Sequence, residues 1–165
     1  MSSPTRVVFA LHCRQPACFH RPTPAACHSY SRILANRLNS LLAKLICPTQ
    51  NAFVSRRSIH DNSVIIQEVL HSMKNKSGKG GWMALKIDLE KAYDRLNWRF
   101  LELILKKFRF CEVWIKWVMT CVSLVSMNLV LNGGPVRSFR PSRGLRQGDS
   151  ISPYLFILCM EVLSS

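Results

Sequence analysis

The sequence predicts an α+β fold, rich in helix and carrying a partial antiparallel sheet. Three observations predict it. Leucines recur at helical spacing through "SRILANRLNSLLAKLICP"; apolar residues alternate through "WMALKIDL" and end at Asp88; and "MNLVLNGGPVRSF" joins an alternating run to an Asn-Gly-Gly turn. At 165 residues and 48% hydrophobic, the chain has material for one buried core.

The elements follow in order. Residues 1–28, with four Pro and little apolar periodicity, read as an unstructured or degenerate leader. From Tyr30 the stripe Leu34, Leu38, Leu41, Leu42 and Leu45 marks a helix that Pro48 stops. Ile65, Ile66, Val69, Leu70 and Met73 mark a second amphipathic helix, with Asp61 or Asn62 as the expected N-cap. "NKSGKGG", residues 75–81, reads as a basic linker, because no strand precedes its glycines and no Lys-Ser/Thr pair follows them. Met83, Leu85 and Ile87 then form a strand ending at Asp88, and helical spacing resumes at Leu96, Phe100, Leu103 and Ile104. Val113, Trp114, Trp117, Val118, Cys121, Val122 and Val125 outline a further helix whose tryptophans are read as core. After the hairpin, Ser152 and Pro153 open a last helix, apolar nearly all round and therefore expected to be buried. This divides the chain into a leader, 1–28, a helical segment, 29–81, and a strand-and-helix segment, 82–165.

Charge narrows the partners. The chain has 23 Lys and Arg against nine Asp and Glu, a formal +14, which favours a polyanion such as nucleic acid. None of the acids lies in residues 1–60, which hold eight of the basic residues. An acid-free, Arg- and Ser-containing start also suits an organelle transit peptide. The best membrane candidate, Val113 to Leu131, is interrupted by Lys116, Thr120, Ser123, Ser126 and Asn128, so no transmembrane helix is expected. Seven Cys at irregular spacing suggest no disulfide framework and favour a reducing compartment. His12, Cys13, Cys18, His20, Cys27 and His28 cluster, but their spacing fits no common zinc module.

Two stretches can carry chemistry. An unpaired carboxylate is costly to bury at a strand end, so Asp88 either caps the helix that follows or faces a cleft where Mg²⁺ and substrate phosphates balance it. "RPSRGLRQGDS", residues 140–150, places Arg140, Arg143 and Arg146 around glycines ahead of a buried helix. It is either an ordinary basic loop or a set of guanidinium and backbone donors for phosphate and sugar.

These stretches resemble the polymerase palm of reverse transcriptases, specifically the non-LTR (LINE-type) retrotransposon class familiar from plant genomes. "ALKIDLEKAYDRLNW" looks like the first palm motif, "GLRQGDSISPYLFIL" like the second, and "SRILANRLNSLLAKLICPTQNAFVSRRSIHDN" like the fingers segment that leads into them. The resemblance implies a fingers-like 29–81, a partial palm over 82–165, and RNA-directed DNA polymerase activity: two-metal nucleotidyl transfer to a primer 3′-hydroxyl, with RNA template, DNA primer, deoxynucleoside triphosphates and Mg²⁺. It gives Asp88 the role of catalytic, metal-binding aspartate and places Leu89, Tyr93, Gln147 and Gly148 at the nucleotide, with Tyr93 crowding the sugar 2′ position. Arg57 becomes a contact to template or triphosphate and Asp94 a structural partner, while Arg143 and Arg146 stay the basic-loop candidates for nucleic-acid or phosphate contact. It further implies a nuclear or cytoplasmic location.

Departures from the family pattern shape the expectation for this chain. Ser150 and Ile151 stand where Pro-Leu is usual, and no Tyr/Phe-Ala-Asp-Asp motif occurs up to Ser165. The chain is therefore expected to be an inactive fragment, with a non-enzymatic, basic nucleic-acid-binding remnant as the alternative reading.

Overall fold

A computed structural model describes residues 24–77, 80–132 and 134–164. His12, Cys13, Cys18 and His20, together with most of the expected leader, lie outside the described residues. Helix α1 runs Pro24–Leu45, so residues 24–28 are helical where a leader was expected. Proline's fixed φ is compatible with a first helical turn, which lets α1 begin ten residues before the leucine stripe. Ser31, Leu34, Ala35, Leu38 and Leu42 form its buried face. The carbonyls of the segment that follows it are gathered by Arg57, whose guanidinium donates to the Cys47, Gln50 and Ile46 oxygens at 2.6, 2.7 and 3.2 Å.

Helix α2, Ile59–Lys74, begins earlier than expected, because Ser58 and not Asp61 or Asn62 is the N-cap. The Ser58 hydroxyl accepts from the His60 amide at 3.2 Å, while the Asn62 side chain accepts from the Asn51 amide group at 2.8 Å. The helix has the expected amphipathic pattern, yet none of its residues is buried.

The expected strand at 82–88 is not formed. A strand needs a hydrogen-bonding neighbour, and among the described residues the one sheet is a hairpin elsewhere in the chain. Met83, Leu85 and Ile87 are instead 88%, 76% and 76% exposed. A short helix α3, Ala92–Arg95, follows a left-handed residue, Lys91. Helix α4, Trp98–Lys107, restarts behind Asn97, whose side chain accepts from the Arg99 amide at 2.8 Å. That cap resets the helical phase, so Leu101, Ile104 and Leu105 are buried and Leu103 is exposed.

Helix α5, Glu112–Ser123, buries Trp114, Ile115, Val118, Cys121 and Val122, and Trp114 stacks on Phe110 with ring centroids 4.4 Å apart. Strands β1, Met127–Leu131, and β2, Gly134–Phe139, form the expected antiparallel hairpin, with a register irregularity at Leu129/Val130. Helix α6, Ser152–Ser164, buries Leu155, Ile157, Leu158 and Cys159. The core lies where α1 packs on α5 and α6, with α4 packed against the same two helices. Helix content with one small antiparallel sheet makes the fold α+β. Among the described residues, no helix is long and apolar enough to cross a membrane.

Candidate nucleotide site

Backbone contacts between two sequence-distant stretches build the site. The Gly144 amide donates to the Leu96 carbonyl at 2.7 Å, and the Leu145 amide donates to the Tyr93 carbonyl at 2.9 Å. Trp98 completes the clasp through its indole Nε1–H, which donates to the Gly144 carbonyl at 2.7 Å. Gly144 is needed here: its φ is +89°, and a Cβ would lie 2.8 Å from the Asp94 carbonyl oxygen. These contacts hold the segment after Asp88 against the segment before Gln147.

Beside the clasp lies a cleft of about 520 Å³, whose walls include Asp88, Leu89, Arg95, Asn97, Phe100 and Phe156. Asp88 is exposed at its edge, and Leu89 is partly open to solvent. Asp88 does not cap the helix that follows, because Lys91 holds the α3 cap position and Asn97 that of α4. Glu90 reaches the same cleft but pairs with Arg95 at 3.6 Å. Tyr93 stacks on Phe156 with centroids 4.5 Å apart, and burial raises its phenol above the usual value.

Gln147 and Gly148 are exposed on a turn closed by the Asp149 amide and the Arg146 carbonyl. Gly148 has φ +83° with open space around it. The turn is tied to α1, because buried Ser31 donates its hydroxyl proton to the Asp149 carboxylate. Arg143 and Arg146 are exposed and line a second cavity, of about 320 Å³, with Asp94 and Met127.

The structure thus gathers Asp88, Leu89 and Phe156 around one cleft, with Tyr93 stacked on Phe156 behind its wall, and holds Gln147 and Gly148 on a turn anchored beside the clasp. Arg57 lies apart, with its guanidinium occupied at the end of α1. Three contributors were missed in the sequence: Ser31, Trp98 and Gly144. Ser31 had a signal, being a polar residue in phase with the buried leucine stripe.

The described residues do not make a divalent-cation site by themselves. Among the described residues, no group of three or more His, Cys, Asp or Glu is placed to hold a metal. Asp88 has only Glu90 beside it in the cleft, and Arg95 competes for that carboxylate.

A protein-family model described as "Reverse transcriptase (RNA-dependent DNA polymerase)" matches residues 20–165. The chain is 32% identical over 154 residues, 90% of its length, to a retrovirus-related Pol polyprotein from the type-1 retrotransposable element R2 of Nasonia vitripennis, of which it covers 14%. It is 28% identical over 131 residues to the transposon TX1 uncharacterized 149 kDa protein of Xenopus laevis, covering 79% of this chain and 10% of that protein. A third relative, the Pol polyprotein from the type-2 element R2DM of Drosophila melanogaster, is 32% identical over 132 residues, covering 79% of this chain and 12% of that protein. The chain spans only a small part of the length of each.

Proposed function

Since the chain belongs to the reverse transcriptase (RNA-dependent DNA polymerase) family and is a LINE-type fragment of its domain, we propose that it supplies the fingers-to-palm part of a site for RNA-templated DNA synthesis. The observation that carries this reading is the clasp of Leu96 and Tyr93 with Gly144 and Leu145. It sets Tyr93 and Leu96, a few residues past Asp88, against the segment that leads into the Gln147-Gly148 turn, and the proposed nucleotide would lie between these two stretches. In this reading Asp88 offers a carboxylate toward the triphosphate, while the Leu89 carbonyl lies beside it. The Tyr93 ring, held flat on Phe156, limits space at the sugar, and Gln147 and Gly148 face base and sugar. Arg143 and Arg146 meet template or primer phosphates.

The family generally uses divalent metal ions, with Mg²⁺ proposed here, and such an ion would neutralise triphosphate charge and activate the primer hydroxyl. Asp88 alone does not hold it, so the isolated chain binds nucleic acid without extending it. The test is primer extension by the purified chain on an RNA template, with deoxynucleotides and Mg²⁺, beside an Asp88→Ala control. The expected result is hybrid binding by both proteins and extension by neither. Incorporation that depends on Asp88 would show that one carboxylate suffices. Failure of either protein to bind the hybrid would remove the nucleic-acid reading altogether.

A further inference from the structure

Between α2 and the exposed run at 83–87, the basic linker closes on an aromatic ring. The Lys76 ammonium lies 4.2 Å from the centroid of the Trp82 ring, a cation–π contact. Trp82 is nevertheless 61% exposed, and one ammonium covers one face, so the other face stays largely open to solvent. Its approach is clear as well: Gly80 and Gly81 put no side chains beside it, and a Cβ at Gly81 would meet nothing within 4 Å. Residues 74–87 hold Lys74, Lys76, Lys79 and Lys86 and no Asp or Glu. Lys74, Lys76 and Lys86 are all exposed. Neither Trp82 nor these three lysines line the cleft or join the clasp.

We propose that Trp82, with Lys76 and the neighbouring lysines, is a stacking platform for an unpaired stretch of RNA or DNA. Every base has a flat π-face, and stacking it on an exposed indole needs no sequence-specific hydrogen bond. Lysines without acids around the ring suit the phosphates that flank a stacked base. A base inside a duplex hides its faces, so the platform selects single strands. A membrane surface is the other partner that a tryptophan among lysines suits. Against it stands α2, which leads into the linker with Asp61, Glu68 and only Lys74 as a lysine, unlike the Lys- and Arg-rich polar face of a helix lying on lipid. The platform rests on the nucleic-acid part of the reading above, and on neither Asp88 nor the clasp.

The Lys76–Trp82 pair also closes the linker, and the two roles differ in what they respond to. Closure acts on the fold and is blind to bases. A platform distinguishes strands that carry bases from strands of sugar and phosphate alone, and it matters little to the fold, because a ring 61% exposed buries little. Trp82 also reports its own occupancy, since a base stacked on the ring quenches its emission. Trp114 is buried, and the Trp98 indole N–H is bonded to the Gly144 carbonyl, so neither offers a comparable open face.

The test uses the full chain and two fluorescein-labelled twelve-nucleotide strands, oligo-dT and its abasic counterpart, in anisotropy titrations at fixed salt. Oligo-dT should bind about 10-fold tighter than the abasic strand and quench tryptophan emission. Trp82→Ala should bind the two strands alike and lose most of the quenching, with its circular dichroism unchanged, while Trp82→Phe keeps part of the preference. Lys76→Gln should weaken both strands and lower the slope of log K against log salt by about 0.7. Binding to a blunt RNA–DNA hybrid should survive Trp82→Ala. Equal affinity of the unmodified chain for the two strands, or a preference that persists in Trp82→Ala, would overturn the platform, and hybrid binding in that case leaves the polymerase-site reading standing. Trp82-dependent binding to phosphatidylserine vesicles, with no preference for the base-bearing strand, would overturn it in favour of a membrane surface.

Discussion

At Gly144, one added methyl group tests the clasp directly. The residue has φ +89°, and a Cβ would sit 2.8 Å from the Asp94 carbonyl oxygen, a backbone atom with little room to retreat. Gly144→Ala should therefore cost about 2–4 kcal/mol, combining left-handed strain with the clash. Gly148 has φ +83° but open space around it, so Gly148→Ala should cost only about 1 kcal/mol. Urea denaturation of both variants checks the contrast, and equal costs would mean that the clasp yields easily. Cysteines give a second prediction, on pH. Burial lifts Cys121 and Cys159 from 9.0 to about 12 in the folded chain. Between those values the unfolded chain releases thiol protons that the folded chain keeps, so stability is complete below about pH 9 and falls as pH rises toward 12. Urea midpoints at pH 8, 9 and 10 should decline above 9, and Cys159→Ala should soften the decline. At this scale the sequence displayed Asp88, Tyr93, Gln147 and Arg57 as candidates but hid the structural bonds that Trp98 and Arg57 make. Their roles lie in bonds to carbonyls, and carbonyls carry no side-chain signature.

Among the elements, the helices and the hairpin were legible, and the strand expected at 82–88 is not formed. Periodicity reports which face is apolar, and it located α1, α5 and α6 because each finds a partner for that face. The same signal in α2 and in residues 83–87 named apolar side chains that remain exposed among the described residues. A strand is a relation between two segments, and a single run of Met83, Leu85 and Ile87 specifies only one of them. Boundaries drifted for a local reason: Ser58 and Asn97 are caps whose hydrogen bonds decide where a helix begins, whichever neighbouring residue has the suitable chemistry. This uneven coverage predicts uneven protection. In hydrogen exchange, amides of α5 and α6 should be protected at least roughly 100-fold more than those of α2, and residues 82–89 should exchange almost freely. Strong protection of α2 would mean that its apolar face is covered in solution.

For the whole molecule, charge is the dominant property. With a formal +14 on 165 residues, the proposed binding to an RNA–DNA hybrid would depend on counterion release, so four phosphate contacts would lose about 100-fold in affinity between 50 and 200 mM salt. Replacing Arg143 and Arg146 together by Gln should reduce the slope of log K against log salt by about 2 without altering sequence preference. Fluorescence anisotropy over that range measures both, and an unchanged slope would remove these two side chains from the interface. Composition showed the charge, and the two palm-like motifs announced the family, while the way they grip one another required coordinates. That grip has a consequence for how the fold can change. The chain leaves the clasp at Leu96 and returns to it at Gly144, so α4, α5 and the hairpin form a tethered detour whose two ends are pinned together. The hairpin end between Leu131 and Gly134 can accordingly gain residues while the cleft keeps its shape, which makes it the place where such a chain can acquire an appendage without disturbing its chemistry.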